Sequence, residues 1–129
     1  MTATRVCLID DDIFVLDALS LGLKDAGFDV VTAPGAAAGL DLAQREMIDA
    51  LVTDMNMPGT SGAQLIIEAR AQWPMLPIIA ISGAAVINGR AVADVAREFG
   101  ADEALVKPFR ARQLAEAIER ARAARQPGG

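Results

Sequence analysis

Five short apolar runs, each followed by a stretch with helical spacing, constrain what this 129-residue chain can fold into more than any other feature. The runs are Arg5 to Ile9, "FDVVTA" from Phe28, "DALVT" from Asp49, "LPIIAIS" from Leu76 and "EALV" from Glu103. They are continuously apolar instead of alternating, which predicts strands covered on both faces. The spacing between them predicts helices. Residues 12 to 26 place Val15, Leu16, Leu19 and Leu23 on one side, with Gly27 as the C-cap. Ala36 to Glu46 follows, with Leu40, Ala43 and Met47 on one face. Gln64 to Gln72 is closed by Trp73-Pro74. Ala91 to Phe99 turns Val92, Val95, Ala96 and Phe99 inward and stops at Gly100. Arg110 to Arg125 carries Leu114, Ile118 and Ala121 on one side. Five β-then-α units with both sheet faces covered make an α/β fold, a doubly wound parallel sheet. Right-handed crossovers leave few topologies, and strand order 2-1-3-4-5 is the common one at this length.

The length suits a single domain over residues 1–125, with "QPGG" at 126–129 as a disordered tail. About twenty residues follow Pro108, one helix's worth, so no attached effector domain is expected. Hydrophobic residues make up 53% and charged residues 22%, which excludes a disordered chain. No basic-then-apolar leader opens the sequence. The longest apolar region, "PMLPIIAISGAAV", is interrupted by Pro77 and too short to span a bilayer, so no membrane insertion is expected. The single cysteine, Cys7, has no internal partner and lies in the first apolar run. A cytoplasmic location and a buried, structural thiol are the expectation.

Net charge is −5, with 17 acidic residues, 12 basic ones and no histidine. That balance argues against direct nucleic-acid binding. Arg110, Arg112, Arg120, Arg122 and Arg125 crowd the last twenty residues, where a solvated helix face explains them better than a basic docking patch.

The acids are not evenly spread. Asp10, Asp11 and Asp12 follow the first strand directly. Two unit charges roughly 4 Å apart repel by about 4 kcal/mol at an effective dielectric near 20, so a cation should lie close by or at least one carboxyl should hold a proton. In a doubly wound sheet, ligands bind beyond the carboxyl ends of the strands, where the strand order switches. There the topology gathers Asp10 and Asp11 with Asp54 from the third strand, Ser82 from the fourth and Lys107 from the fifth. Asp11 and Asp54, with Asp10 through water, can ligate a hard cation, and Mg²⁺ suits few carboxylates with several retained waters. The backbone carbonyl of Asn56 could complete the set. Lys107 supplies a fixed positive charge and Ser82 a hydroxyl, which with a metal is what a phosphoryl group needs around its oxygens. With no histidine and no reactive thiol, a carboxylate must be the nucleophile, and Asp54 is the best placed. Asp12 is read as the N-cap of the first helix. Met55, Met57 and Met75 are read as packing. Trp73 is read as packing at the end of the third helix, away from the site.

"LIDDD", "LVTDMNMPGTSG", "IIAISG" and "GADEALVKPF", in that order at four strand ends, resemble the response regulator receiver domain over nearly the whole chain. The resemblance implies a (βα)5 flavodoxin-like fold. It implies that Asp10 and Asp11 form the acidic Mg²⁺ pocket and that Asp54 is the phosphoacceptor. Ser82 would follow the phosphoryl group, Lys107 would pair with it, and Lys107-Pro108 would be a cis peptide. The phosphodonor would be a histidine kinase or a histidine phosphotransfer protein, and the output a downstream protein partner bound by the face of the fourth helix, fifth strand and fifth helix. Such a domain is a switch and not an enzyme, apart from turning over its own phosphoryl group.

Two departures stand out. Ala104 occupies a position where the receiver pattern usually has an aromatic ring that follows the hydroxyl residue. The stretch from Ser82 to Lys107 is also a few residues longer than usual, which predicts an extended loop around Val86 to Arg90. Ala104 motivates a second reading, a receiver-fold scaffold that binds its partner regardless of phosphorylation. A third is a Mg²⁺-dependent phosphatase. A DxD after a first strand, here Asp10 and Asp12, also opens the haloacid-dehalogenase phosphatases, but that family needs further motifs and a longer chain.

Overall fold

The computed structural model describes residues 3–56 and 62–125. In chain order its elements are β1 (Arg5–Ile9), α1 (Ile13–Asp25), β2 (Asp29–Ala33), α2 (Ala36–Glu46), β3 (Ala50–Asp54), α3 (Gly62–Gln72), β4 (Ile78–Ser82), β5 (Val86–Ile87), β6 (Arg90–Ala91), α4 (Val92–Phe99), β7 (Glu103–Val106) and α5 (Ala111–Arg125). Five strands form one sheet in the order β2-β1-β3-β4-β7, and every pairing within it is parallel. The expected topology is therefore present, with β7 as the fifth strand. The "MPGTS" part of the loop after Asn56, with Met57, and the 126–129 tail lie outside the described residues.

The continuous apolar runs have a direct cause in the packing. Successive strand side chains point to opposite faces, and here both faces are covered. Val6, Leu8, Val52, Ile79 and Ile81 pack with Leu16, Leu19 and Leu23 of α1 and with Leu114, Ala117 and Ile118 of α5. Cys7, Ile9, Leu51, Ile78 and Ala80 pack with Ala36 of α2, Leu65 and Ile66 of α3 and Val95 of α4 on the other face. Full burial of each such side chain contributes about 1.5–3 kcal/mol, so β3 and β4 are apolar up to their C-terminal ends, where Thr53, Asp54 and Ser82 are the buried polar residues.

Where the sequence reading erred, the reasons are local. The stretch predicted as a longer loop is a β-hairpin, β5 paired antiparallel with β6. Its turn is Asn88-Gly89, both at positive φ (50° and 79°), as a two-residue hairpin turn requires. Met47 does not continue the buried face of α2. It is the left-handed C-cap at φ 49° and is 86% exposed. Met75 is also exposed, whereas Met55 is buried as packing requires. Trp73 is half-buried against the core beyond the end of α3. No helix among the described residues is long and apolar enough to cross a membrane.

Candidate functional site

The site follows from register. Ile9 pairs with Thr53 across β1 and β3, so the next residues, Asp10 and Asp54, sit side by side on strands about 4.8 Å apart. Asp54 pairs with Ile81, which puts Ser82 one step further out on β4. Ser82 pairs with Val106, and the Lys107 backbone N–H donates to the Ser82 carbonyl at 2.8 Å. Lys107 therefore starts two strands away from Asp54, and its four-carbon stem closes the gap. Its ammonium lies 2.7 Å from Asp54 Oδ2 and 3.0 Å from Asp10 Oδ2. The Lys107-Pro108 peptide is cis.

Asp10, Asp54 and Ser82 are buried, and Asp11 is exposed at the rim. Carboxylate oxygens of Asp10, Asp11 and Asp54 all lie within 4.8 Å of one another. Asp10 Oδ1 accepts the Asp12 backbone N–H at 2.9 Å. Asp10 Oδ2 is fully enclosed, and among the described residues the Lys107 ammonium at 3.0 Å is all that offsets its charge. Burial raises the Asp10 carboxyl above the usual aspartate value, and the Asp54 charge adds to this; the Asp12 amide and Lys107 oppose it. Burial works against the Lys107 charge, but bonding to Asp54 and Asp10 outweighs it and leaves the amine more basic than an ordinary lysine. Three carboxylates against one ammonium leave the rim anionic. An under-bonded buried oxygen in an all-oxygen donor set fits a hard divalent cation such as Mg²⁺.

Asp12 stands apart from this group. Its side chain accepts from the Phe14 and Val15 backbone N–H groups at 3.0 and 3.4 Å and caps α1, which agrees with the sequence reading. Asn56 is exposed at the mouth and its backbone N–H donates to Asp54 Oδ1 at 2.8 Å. The two Asp54 oxygens are thus held apart, one by Asn56 and the other by Lys107. Ser82 is in place along the rim, but its hydroxyl is turned onto its own loop. It donates to the Ala84 carbonyl at 2.8 Å and accepts the Ala84 N–H at 3.1 Å.

Sequence reasoning gave Gly62, the last residue of "LVTDMNMPGTSG", no role of its own. A Cβ there would collide with the Asp54 carbonyl oxygen and the Met55 backbone. Its N–H donates to the Met55 carbonyl at 3.2 Å, so the start of α3 rests directly on the end of β3. A glycine eight residues after a strand-end carboxylate was the available signal. The first turn of α1 also leaves Ile13 and Phe14 exposed beside the mouth, Phe14 at 80%. Arg112, Arg120, Arg122 and Arg125 each face a carboxylate.

Comparison with known proteins points to one family and one fold. The family model of the response regulator receiver domain matches residues 6–119. The chain is 39% identical over 123 residues to the transcriptional regulatory protein PrrA of Mycobacterium tuberculosis, covering 95% of this chain and 50% of that protein. It is 36% identical over 126 residues to the response regulator protein FleR of Pseudomonas aeruginosa, covering 98% of this chain and 26% of that protein. The chain thus spans half or less of the length of these curated relatives. Among solved structures, a response regulator receiver domain protein from Clostridium thermocellum superposes with TM-score 0.85 at 30% identity, over 94% of this chain and 95% of that one. The chemotaxis response regulator CheY4 of Vibrio cholerae superposes with TM-score 0.83 at 29% identity, over 93% and 99%.

Proposed function

The chain belongs to the response regulator receiver domain family, and on that premise we propose that it is a phosphoacceptor switch of two-component or phosphorelay signalling, with Asp54 as the acceptor. The observation that carries this reading is the bridge made by Lys107 between Asp54 and Asp10. It neutralises part of the charge that would otherwise repel an incoming phosphoryl group. Asp10, Asp11, Asp54 and the Asn56 carbonyl would hold a Mg²⁺, which would supply the remaining neutralisation of phosphoryl oxygens. The donor is the phosphohistidine of a histidine kinase or phosphotransfer protein. An Asp54 carboxylate oxygen forms the new P–O bond as the P–N bond breaks, and the electron pair stays with the imidazole nitrogen. Lys107 remains beside the acyl phosphate it has helped to form. Ser82 exchanges its bond to the Ala84 carbonyl for one to a phosphoryl oxygen. The modification adds about −1.5 to −2 charges, and only contacts that differ between the two states can move the fold.

The test is intact-mass measurement after treatment with acetyl phosphate and Mg²⁺. One added phosphoryl group is expected, and none in Asp54→Ala; labelling that persists in the variant refutes the assignment. A protein donor must also rest on the surface around the mouth. Phe14→Ala is expected to slow transfer from such a donor and to leave acetyl phosphate labelling unchanged, because the small donor needs no docking surface.

One observation favours a second reading. Ala104, paired with Ala80 and set against the core, offers a methyl where a mobile ring would sit. A scaffold that binds its partner regardless of phosphorylation would show equal partner affinity with and without a beryllofluoride phosphoryl mimic.

A further inference from the structure

Ser82 has a second connection, and it leads away from Ala104. Both hydrogen bonds of its hydroxyl go to Ala84. To reach a phosphoryl group on Asp54, the hydroxyl must turn away from Ala84, which releases residues 83–85 from this anchor. The Ala85 carbonyl accepts the backbone N–H of Val92, the first residue of α4, at 2.9 Å. The hairpin lies between these two anchor points. Val86 pairs with Ala91 and Ile87 with Arg90 across the tight Asn88-Gly89 turn. A two-residue turn at positive φ on both residues is short and geometrically restricted, so the hairpin moves as a unit. Its far side is fastened to α4. The two terminal nitrogens of Arg90 donate to the two oxygens of Glu98 at 2.8 and 2.7 Å. Ile87 packs against the core that Val92 and Val95 enter.

Resting on the reading of Asp54 as phosphoacceptor, we propose that the β5–β6 hairpin carries the movement of Ser82 into α4, with Arg90 and Glu98 as positioning residues. The hairpin takes over the role that a ring at position 104 cannot perform here. When Ser82 turns away, Ala84 and Ala85 lose their anchor, the hairpin tilts, and the Arg90–Glu98 fork turns that tilt into a displacement of α4. The fork is half exposed, 50% and 56% at its two side chains. Exposed pairs contribute little to stability, so removing it tests the link without unfolding the protein.

The experiment uses the full chain, isotope-labelled, with Mg²⁺ and beryllofluoride as the phosphoryl mimic. Wild type, Arg90→Ala and the charge-swapped pair Arg90→Glu/Glu98→Arg are compared by amide shifts. Shifts at Ser82 and Ala84 are expected in all three. Shifts across Val92–Phe99 should fall about threefold in Arg90→Ala, the scale of effect expected from cutting a coupling element, and return in the swapped pair. Undiminished α4 shifts in Arg90→Ala overturn the inference. Loss of the Ser82 and Ala84 shifts in that variant also overturns it, because the pair would then support the pocket and not the link. Acetyl phosphate labelling of wild type separates the two layers. No uptake at Asp54 means that the underlying reading fails, whereas uptake with undiminished α4 shifts in Arg90→Ala defeats the hairpin alone.

Discussion

Charge is drawn out of water at both ends of this sheet, and the two ends treat it in opposite ways. At the N-terminal edge of β4 and β7, Asp102 accepts from Arg70 at 3.1 Å, from Arg125 at 2.7 Å and from the Ile78 backbone N–H at 2.9 Å. Arg70 also donates to the carbonyls of Trp73, Pro74, Leu76 and Gly100. Gly100 is needed beside it, because its φ of 119° suits no other residue and a Cβ would press on the arginine stem. At the C-terminal rim, three carboxylates have one ammonium among them, which pairs with Asp54 and Asp10, and among the described residues Asp10 Oδ2 has no other partner. The first cluster is closed, each charge met by a group of the fold. The second is under-compensated, and an under-compensated buried charge is where a fold leaves stability unrealised in order to bind something. Burial alone does not distinguish brace from site; the completeness of the hydrogen bonding does.

The sharpest way to break this comparison is at the closed end. Arg70→Ala removes the hub and leaves Asp102 and several carbonyls with fewer partners. Loss of one partner of a well-buried pair is severe, here moderated because Arg125 remains, so about 3 kcal/mol of stability should be lost in urea unfolding. Acetyl phosphate labelling of the folded variant should be unaffected, and a loss of labelling would erase the distinction between the ends. Gly62→Ala comes next. The added methyl must displace the end of β3 or the start of α3, and overpacking of this kind costs about 1–3 kcal/mol. Because the strain falls on the Asp54 backbone, labelling should slow as well, which Arg70→Ala does not produce.

Asp10→Asn should have the opposite sign. It keeps the Oδ1 acceptor for the Asp12 N–H and removes a charge that burial and Asp54 disfavour. In the absence of divalent cations the variant should be about 1 kcal/mol more stable than wild type, read as a higher thermal midpoint. The sign follows from the raised native pKa. The native carboxyl keeps its proton to higher pH than the unfolded one, so wild type loses stability as pH rises through and above the ordinary aspartate range. The advantage of Asn should therefore shrink toward acid. The variant should also lose the rise in thermal midpoint that wild type gains from added Mg²⁺. A variant that still responds fully to Mg²⁺ would mean that Asp10 is no part of the cation site.

How much of this was legible depends on what kind of interaction each feature rests on. The strands were, because burial on both faces forces uninterrupted apolar runs, and register then placed Asp10 beside Asp54 with Lys107 in reach. The hairpin was foreseen only as extra length. Asn88-Gly89 is a strong turn signal, but strands of two residues carry no periodicity to support it. Met47 misled because helical spacing cannot tell a last buried turn from a left-handed cap. The direction of the Ser82 hydroxyl is a rotamer choice, and the partners of Arg70 are mostly backbone carbonyls, which no side-chain pattern records.

The smallest effect should come where charge is paired but not buried. Arg112 and Glu116 stand one turn apart on α5 with 3.8 Å between their charged atoms, and the arginine side chain is 83% exposed. Water already solvates both groups, and holding two long side chains together offsets most of the attraction. Arg112→Ala should therefore change stability by less than about 0.5 kcal/mol, at low salt and high, in the urea unfolding used for Arg70→Ala. A larger loss would mean that this face of α5 is organised beyond its pairwise contacts. In that case exposed charge would belong beside the Arg70 cluster as a brace, and completeness of hydrogen bonding would no longer be what separates the two ends.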